Sequence, residues 1–266
     1  PHSKYNFANT KCSRRRRVAE TDALSPHTSR RHPPQYYTRA QRTMVVVGLS
    51  GPSAAGKSTL LSGLKKLAAV TVISCDDFYL PKDQCPRFSV AALPWPSGAV
   101  PAAFAERGDA DMNVPGSVNW SGVLDAVSSA QSSEASNIVL DGLLLFGDHP
   151  GAKSALELCE HTACLRPSNS DADAMETLWR RKFKRSHLGK ASYESRGVTP
   201  AEYAVYWDSY VWPRWIEHGE ARIPEGTLRI DCLLPVEDQV TQLFATDWFA
   251  PLDPPKEEEE PRANVG

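Results

Sequence analysis

The sequence predicts an α/β fold, a five-stranded parallel sheet flanked by helices, and three observations predict it. Five short apolar runs (residues 44–49, 70–74, 138–146, 161–165 and 228–234) are rich in β-branched residues and have the length of buried strands. Stretches with apolar residues at helical spacing alternate with them, the order from which parallel sheets are built. Between the first strand and the first helix lies Gly51-Pro52-Ser53-Ala54-Ala55-Gly56-Lys57-Ser58.

That octapeptide fits G-x-x-x-x-G-K-[ST], the phosphate-binding P-loop, and makes the sheet one of the P-loop NTPase type. Its glycines let successive N–H groups turn toward phosphate oxygens, the following helix adds partial positive charge at its N-terminus, and Gly51 through Ser58 with Thr59 are the expected nucleotide-binding residues. Lys57 is placed to reach the β- and γ-phosphates of a nucleotide, and the Ser58 hydroxyl to ligate Mg²⁺. Leu60, Leu61, Leu64 and Leu67 give the helix its apolar face. The second strand, 70–74, runs into Cys75-Asp76-Asp77-Phe78-Tyr79. Acids at the carboxyl end of a strand are where an open α/β sheet holds its ligands, and alternation along a strand lets only one of two neighbours face the site.

Residues 80–116 hold Pro81, Pro86, Pro94, Pro96, Pro101 and Pro115 without periodicity, as in a functional loop or a disordered insert. A helix is predicted from Ser117, as N-cap, to about Ser133. The strand at 138–146 contains Asp141, read either as a Walker B carboxylate for Mg²⁺ or as an Asp-Gly turn. A short helix around 155–159 and a fourth strand follow. The predicted helix at 171–187 ends in Arg180-Arg181-Lys182-Phe183-Lys184-Arg185, either a solvated face or part of a lid (171–198) whose cations meet a triphosphate. Tyr203, Tyr206, Trp207, Tyr210, Trp212 and Trp215 recur at the spacing of a buried helix face, with a ligand cage as the other reading. A fifth strand and a helix through Val236, Val240, Leu243 and Phe244 close a domain spanning 44–249.

The ends differ from this domain. Residues 1–43 carry ten Lys/Arg against two acids, so a net charge of −2 leaves about −10 for the remainder. This stretch reads as a disordered basic extension, with a transit peptide or nucleic-acid patch as alternatives. Residues 250–266, with four consecutive glutamates, read as an acidic disordered tail. Six cysteines without a C-x-x-C pair point to free thiols in a reducing compartment, the cytoplasm, with mitochondrial targeting as the alternative. No apolar run reaches membrane-span length, and neither membrane nor nucleic acid is expected as a partner.

Four stretches carry a family resemblance: residues 48–58, 72–79, 138–146 and 208–213. Through them the chain resembles nicotinamide riboside kinases, within the uridine kinase and phosphoribulokinase group. The resemblance implies transfer of phosphate from ATP, with Mg²⁺, to the 5′-hydroxyl of a nucleoside, nicotinamide riboside first. Uridine- or pantothenate-type kinases and a non-catalytic nucleotide sensor are the alternatives. It implies Asp77 as base or hydroxyl-orienting group and Mg²⁺ partner, with Phe78 and Tyr79 beside it on the substrate side. Asp141 stands where the family has a Walker B Glu, Arg181 and Arg185 where lid arginines meet ATP phosphates, and Lys182 where a riboside-side Arg stands. Where the family holds the ribose with an aromatic-Asp pair, this chain has Met112-Asn113. Near adenine, Cys232-Leu233-Leu234-Pro235 replaces the usual Gly-Thr.

Overall fold

A computed structural model describes residues 44–133, 137–169, 172–185 and 191–249. Both charged ends and two parts of the lid segment lie outside the described residues. No described helix is long and apolar enough to cross a membrane.

The chain runs β1 (Val46–Ser50), α1 (Lys57–Leu64), β2 (Val70–Ser74), α2 (Ala102–Ala105), α3 (Trp120–Ser132), β3 (Asn137–Asp141), α4 (Pro150–Glu157), β4 (His161–Arg166), α5 (Ala172–Lys184), α6 (Pro200–Tyr206), α7 (Trp212–His218), β5 (Leu228–Asp231) and α8 (Val236–Phe244). The five strands form one parallel sheet in the order β2-β3-β1-β4-β5. Side-chain alternation along each strand sends residues to two helical layers. Val46, Ile138, Leu140 and Cys164 pack with Trp120, Val123 and Val127 of α3 and Ala152 and Ala155 of α4. Val47, Leu49, Val139, Ala163 and Leu165 pack on the other face with α1, α8 and the aromatic residues of α6. β1 is therefore buried along its whole length, which explains its unbroken apolar run.

Register positions the site. Leu49 pairs with Asp141, and Asp141 pairs in turn with Ser74, so the ends of β1, β2 and β3 lie level. The chain crosses from one side of β1 to the other between β3 and β4, and such a switch point is where an open sheet leaves a crevice.

Several expected boundaries move. α1 stops at Leu64, and Leu67, expected on its buried face, is 48% exposed. α3 starts two residues later than predicted, because Asn119 rather than Ser117 caps it, accepting the Gly122 amide at 3.2 Å. β3 ends at Asp141 instead of running to 146, and Leu144, Leu145 and Phe146 reach the core from the turn that follows. The Pro-rich segment is ordered: bridges Tyr79↔Val118 and Arg87↔Ala110 close it, and Val90, Trp95 and Phe104 are buried. α6 continues into α7 through a wide π-turn, Trp207–Val211, where the Trp212 amide donates to the Trp207 carbonyl. Pro213 has no N–H for the Ser209 carbonyl and its ring would crowd that group, so widening relieves the clash.

Candidate active site

The turn after β1 is shaped by its glycines. A Cβ on Gly51 would lie 2.3 Å from the Leu165 carbonyl oxygen, so only glycine lets β1 turn beside β4. Gly56 has φ +96°, and Ala54 takes the left-handed region at φ 65° without being glycine. The Lys57 ammonium folds back and donates to the Gly51 carbonyl at 2.9 Å. Gly56 gives α1 no side-chain cap and its first turn holds no acid, so the leading amides of the helix are left to an external anion.

A cleft opens over this turn. Its floor is Ser53, Ala54, Gly56, Lys57 and Ser58, and one wall is Asp76, Tyr79 and Asp141. Arg107, Met112 and Asn113 from the Pro-rich segment form a second wall, with Tyr193, Tyr203 and Tyr206 behind them and Lys182 and Arg185 at the α5 side. Of the expected P-loop residues, Ala55 and Thr59 face a neighbouring cavity beside Arg181, Cys232 and Gln239. Gly51 and Pro52 serve through their backbone, Pro52 accepting the Ala55 amide at 3.2 Å. Arg181 donates to the Cys232 carbonyl at 3.1 Å, on the outer side of the P-loop.

Two expected substrate contacts change. Asp76 lines the cleft and Asp77 does not, because the chain leaves β2 in a 3₁₀ turn, Cys75–Phe78, instead of continuing extended. Ser74 caps that turn by accepting the Asp76 amide. In a three-residue turn the side chains fan out at about 120°: Cys75 goes under Gly142, and of the two exposed acids that follow Asp76 is the one on the cleft wall. Phe78 also leaves the site and packs on α3 near Gly122.

Asp141 is 7% exposed, and its Oδ1 has no hydrogen-bond partner. Burial raises its pKa to about 6; nearby Lys57 pulls it down, while Asp76 and Asp77 push it up. An orphaned buried carboxylate oxygen beside Ser58 and Asp76 is a donor set suited to Mg²⁺, which takes one or two carboxylates and completes its shell with water and phosphate oxygens. Among the described residues no group of three His, Cys, Asp or Glu is arranged for a metal without such help. Burial, with Arg185 as neighbour, lowers the Lys182 ammonium to about 8, and Asp76 partly offsets this.

Sequence reasoning missed Arg107, which sits in a segment without periodicity. The aromatic residues were expected as core, and they are: Tyr203, Trp207 and Tyr210 are at most 1% exposed. Tyr203 and Tyr206 are also cleft wall, a double role that helical spacing does not reveal. Behind them Tyr210 donates to Asp111 at 2.7 Å, and Asp111 pairs with Arg214 at 2.9 Å.

No protein-family profile and no curated protein sequence matches the chain. Among solved structures it is similar to a sugar kinase from Janibacter sp. HTCC2649, at 15% identity and TM-score 0.46 over 78% of this chain and 96% of that one. It is also similar to a gluconokinase from Sinorhizobium meliloti 1021, at 14% identity and TM-score 0.43 over 77% of this chain and 92% of that one. Likeness at this level carries no argument about reaction or acceptor.

Proposed function

We propose that the protein is a small-molecule kinase that transfers the γ-phosphoryl group of ATP to a hydroxyl of its acceptor. One observation supports this above the rest: P-loop, Asp76 and Asp141 converge on one cleft whose far wall is built by a separate ordered segment. The P-loop amides and Lys57 hold the β- and γ-phosphates, and their positive ends offset charge that spreads over the phosphoryl oxygens in transfer. Ser58, Asp141 and Asp76 would hold Mg²⁺, which when bound neutralises phosphate charge and fixes the phosphate conformation. Asp76 orients the acceptor hydroxyl and takes its proton as the new O–P bond forms and the bond from the γ-phosphorus to the bridging oxygen breaks, ADP leaving with that oxygen. The wall from Arg107 to Asn113 keeps the acceptor in line and limits water, whose attack would waste ATP.

The finer reading, a nucleoside 5′-hydroxyl with nicotinamide riboside as acceptor, is supported by the four resembling stretches. Asn113 keeps a hydrogen-bonding group for a ribose hydroxyl but supplies no negative charge for a cationic ring. The test is ADP formation from MgATP with a panel of hydroxyl compounds, nicotinamide riboside and uridine included. Acceptor-dependent ADP formation supports the kinase reading, and preference for nicotinamide riboside supports the finer one. ATP binding without transfer to any compound would leave a nucleotide sensor in its place.

A further inference from the structure

The kinase reading gives Arg107 a place in the cleft wall and leaves its charge without a role. Arg107 donates through Nη2 to the Tyr210 hydroxyl at 2.8 Å, and its guanidinium lies over the rings of Tyr210 and Tyr206 at 4.9 and 5.7 Å. Its other terminal nitrogen, Nη1, is buried and has no hydrogen-bond partner. Among the described residues no carboxylate pairs with it; Asp111, the nearest acid in its hydrogen-bond chain, is already engaged by Arg214. A second orphan lies in the same wall: Tyr203 is fully buried, lines the cleft, and its hydroxyl has no partner. A buried donor without an acceptor is unfavourable unless a ligand supplies the acceptor.

The space beside Arg107 has the same character. A cavity of about 560 Å³ shares Arg107, Met112, Lys182, Arg185 and Tyr193 with the cleft but contains no P-loop residue. Its lining includes Lys82, Arg107, Lys182, Arg185 and Arg196, and the single acid there among the described residues, Glu106, is bound to Arg196 at 2.7 Å. Cations that faced only the triphosphate would cluster at the P-loop; Lys82 and Arg196 line only the space without P-loop residues.

We propose that the acceptor is an anion, a hydroxy compound bearing a carboxylate or a phosphate, and that the Arg107 guanidinium binds that group while Asp76 receives the hydroxyl. The inference rests on the kinase reading. The guanidinium rests against two tyrosine rings with Nη1 left to donate, and carboxylate and phosphate are the acceptors that form charge-assisted hydrogen bonds with it. A cationic nicotinamide ring in this position would meet like charge, so the anionic acceptor stands in place of the finer reading and keeps only the kinase reading.

The test measures kcat and KM at saturating MgATP for a sugar acid, a sugar phosphate, the parent neutral sugar, uridine and nicotinamide riboside. The expected result is that the sugar acid or the sugar phosphate exceeds the neutral sugar at least about tenfold in kcat/KM, the better of the two identifying the anionic group. Arg107→Gln should raise KM for that acceptor about ten- to hundred-fold, and Arg107→Lys should recover part of the loss. Preference for a neutral or cationic acceptor overturns the proposal and leaves the kinase reading standing. So does an Arg107→Gln effect on KM for ATP alone. If no compound is phosphorylated, the kinase reading fails, and thermal melting with a non-hydrolysable ATP analogue plus each anion decides the proposal separately. Stabilisation of wild type that Arg107→Gln loses upholds the anion site; no stabilisation by either anion overturns it.

Discussion

Asp141 shows what a functional residue costs the fold that carries it. Its ordinary carboxyl pKa of 3.8 rises to about 6 in the folded protein, burial being the largest cause. The folded protein therefore binds the proton more tightly than the unfolded chain. The stability linked to it is present below pH ~4 and lost as pH rises to ~6, by about 3 kcal/mol at most. Asp141→Asn removes that penalty: near neutral pH its melting temperature should exceed wild type by several degrees, at roughly 2–4 °C per kcal/mol, and the gain should vanish near pH ~4. An equal gain at both pH values would mean that charge is not the cause. The same substitution should abolish transfer, since the orphaned Oδ1 is the proposed Mg²⁺ ligand. At the neighbouring pair, Asp76→Asn should lower kcat about 10²–10⁴-fold with Asp77→Asn near wild type, because only Asp76 lines the cleft. The sequence named the acidic pair and favoured Asp77, whereas Asp76 is the member that lines the cleft, since alternation along a strand stops applying where the chain enters a 3₁₀ turn.

At the scale of elements, the P-loop couples fold to chemistry through Gly51. A methyl group there would meet the Leu165 carbonyl oxygen at 2.3 Å, backbone that belongs to a central strand and cannot swing aside. Gly51→Ala should destabilise by roughly 2–3 kcal/mol, read from chemical denaturation, and should weaken ATP binding along with it. A variant of full stability would show that β1 and β4 adjust without cost. The strands and α8 were legible because β-branched runs and helical spacing act locally: β2 and the first turn of α8 begin where the residues predict. The cap of α3 was misplaced because Ser117 and Asn119 are both capping types, and only tertiary contact selects between them. The Pro-rich segment was illegible as structure because its order comes from Val90, Trp95 and Phe104 reaching a distant core, which no local period encodes.

For the whole molecule, the strand order brings three chain ends together: the P-loop after β1, the acidic turn after β2 and Asp141 at the end of β3. The sequence predicts the parallel sheet without predicting which strands are neighbours, and the order β2-β3-β1-β4-β5 is set by tertiary packing. The far wall, with Arg107, Met112 and Asn113, is delivered by the segment between β2 and α3, so the proposed nucleotide and acceptor sides come from different parts of the chain. Lys57 belongs only to the first of these, and its side chain contacts loop carbonyls without packing in the core. Lys57→Ala should therefore fold as wild type while losing transfer. The most direct measurement follows the phosphorus itself, by phosphorus NMR of ATP and acceptor incubated with wild type or Lys57→Ala. The account predicts a phosphomonoester on the acceptor, formed one for one with ADP, by wild type alone. Inorganic phosphate as the sole phosphorus product, or equal transfer by the Lys57→Ala protein, would contradict it.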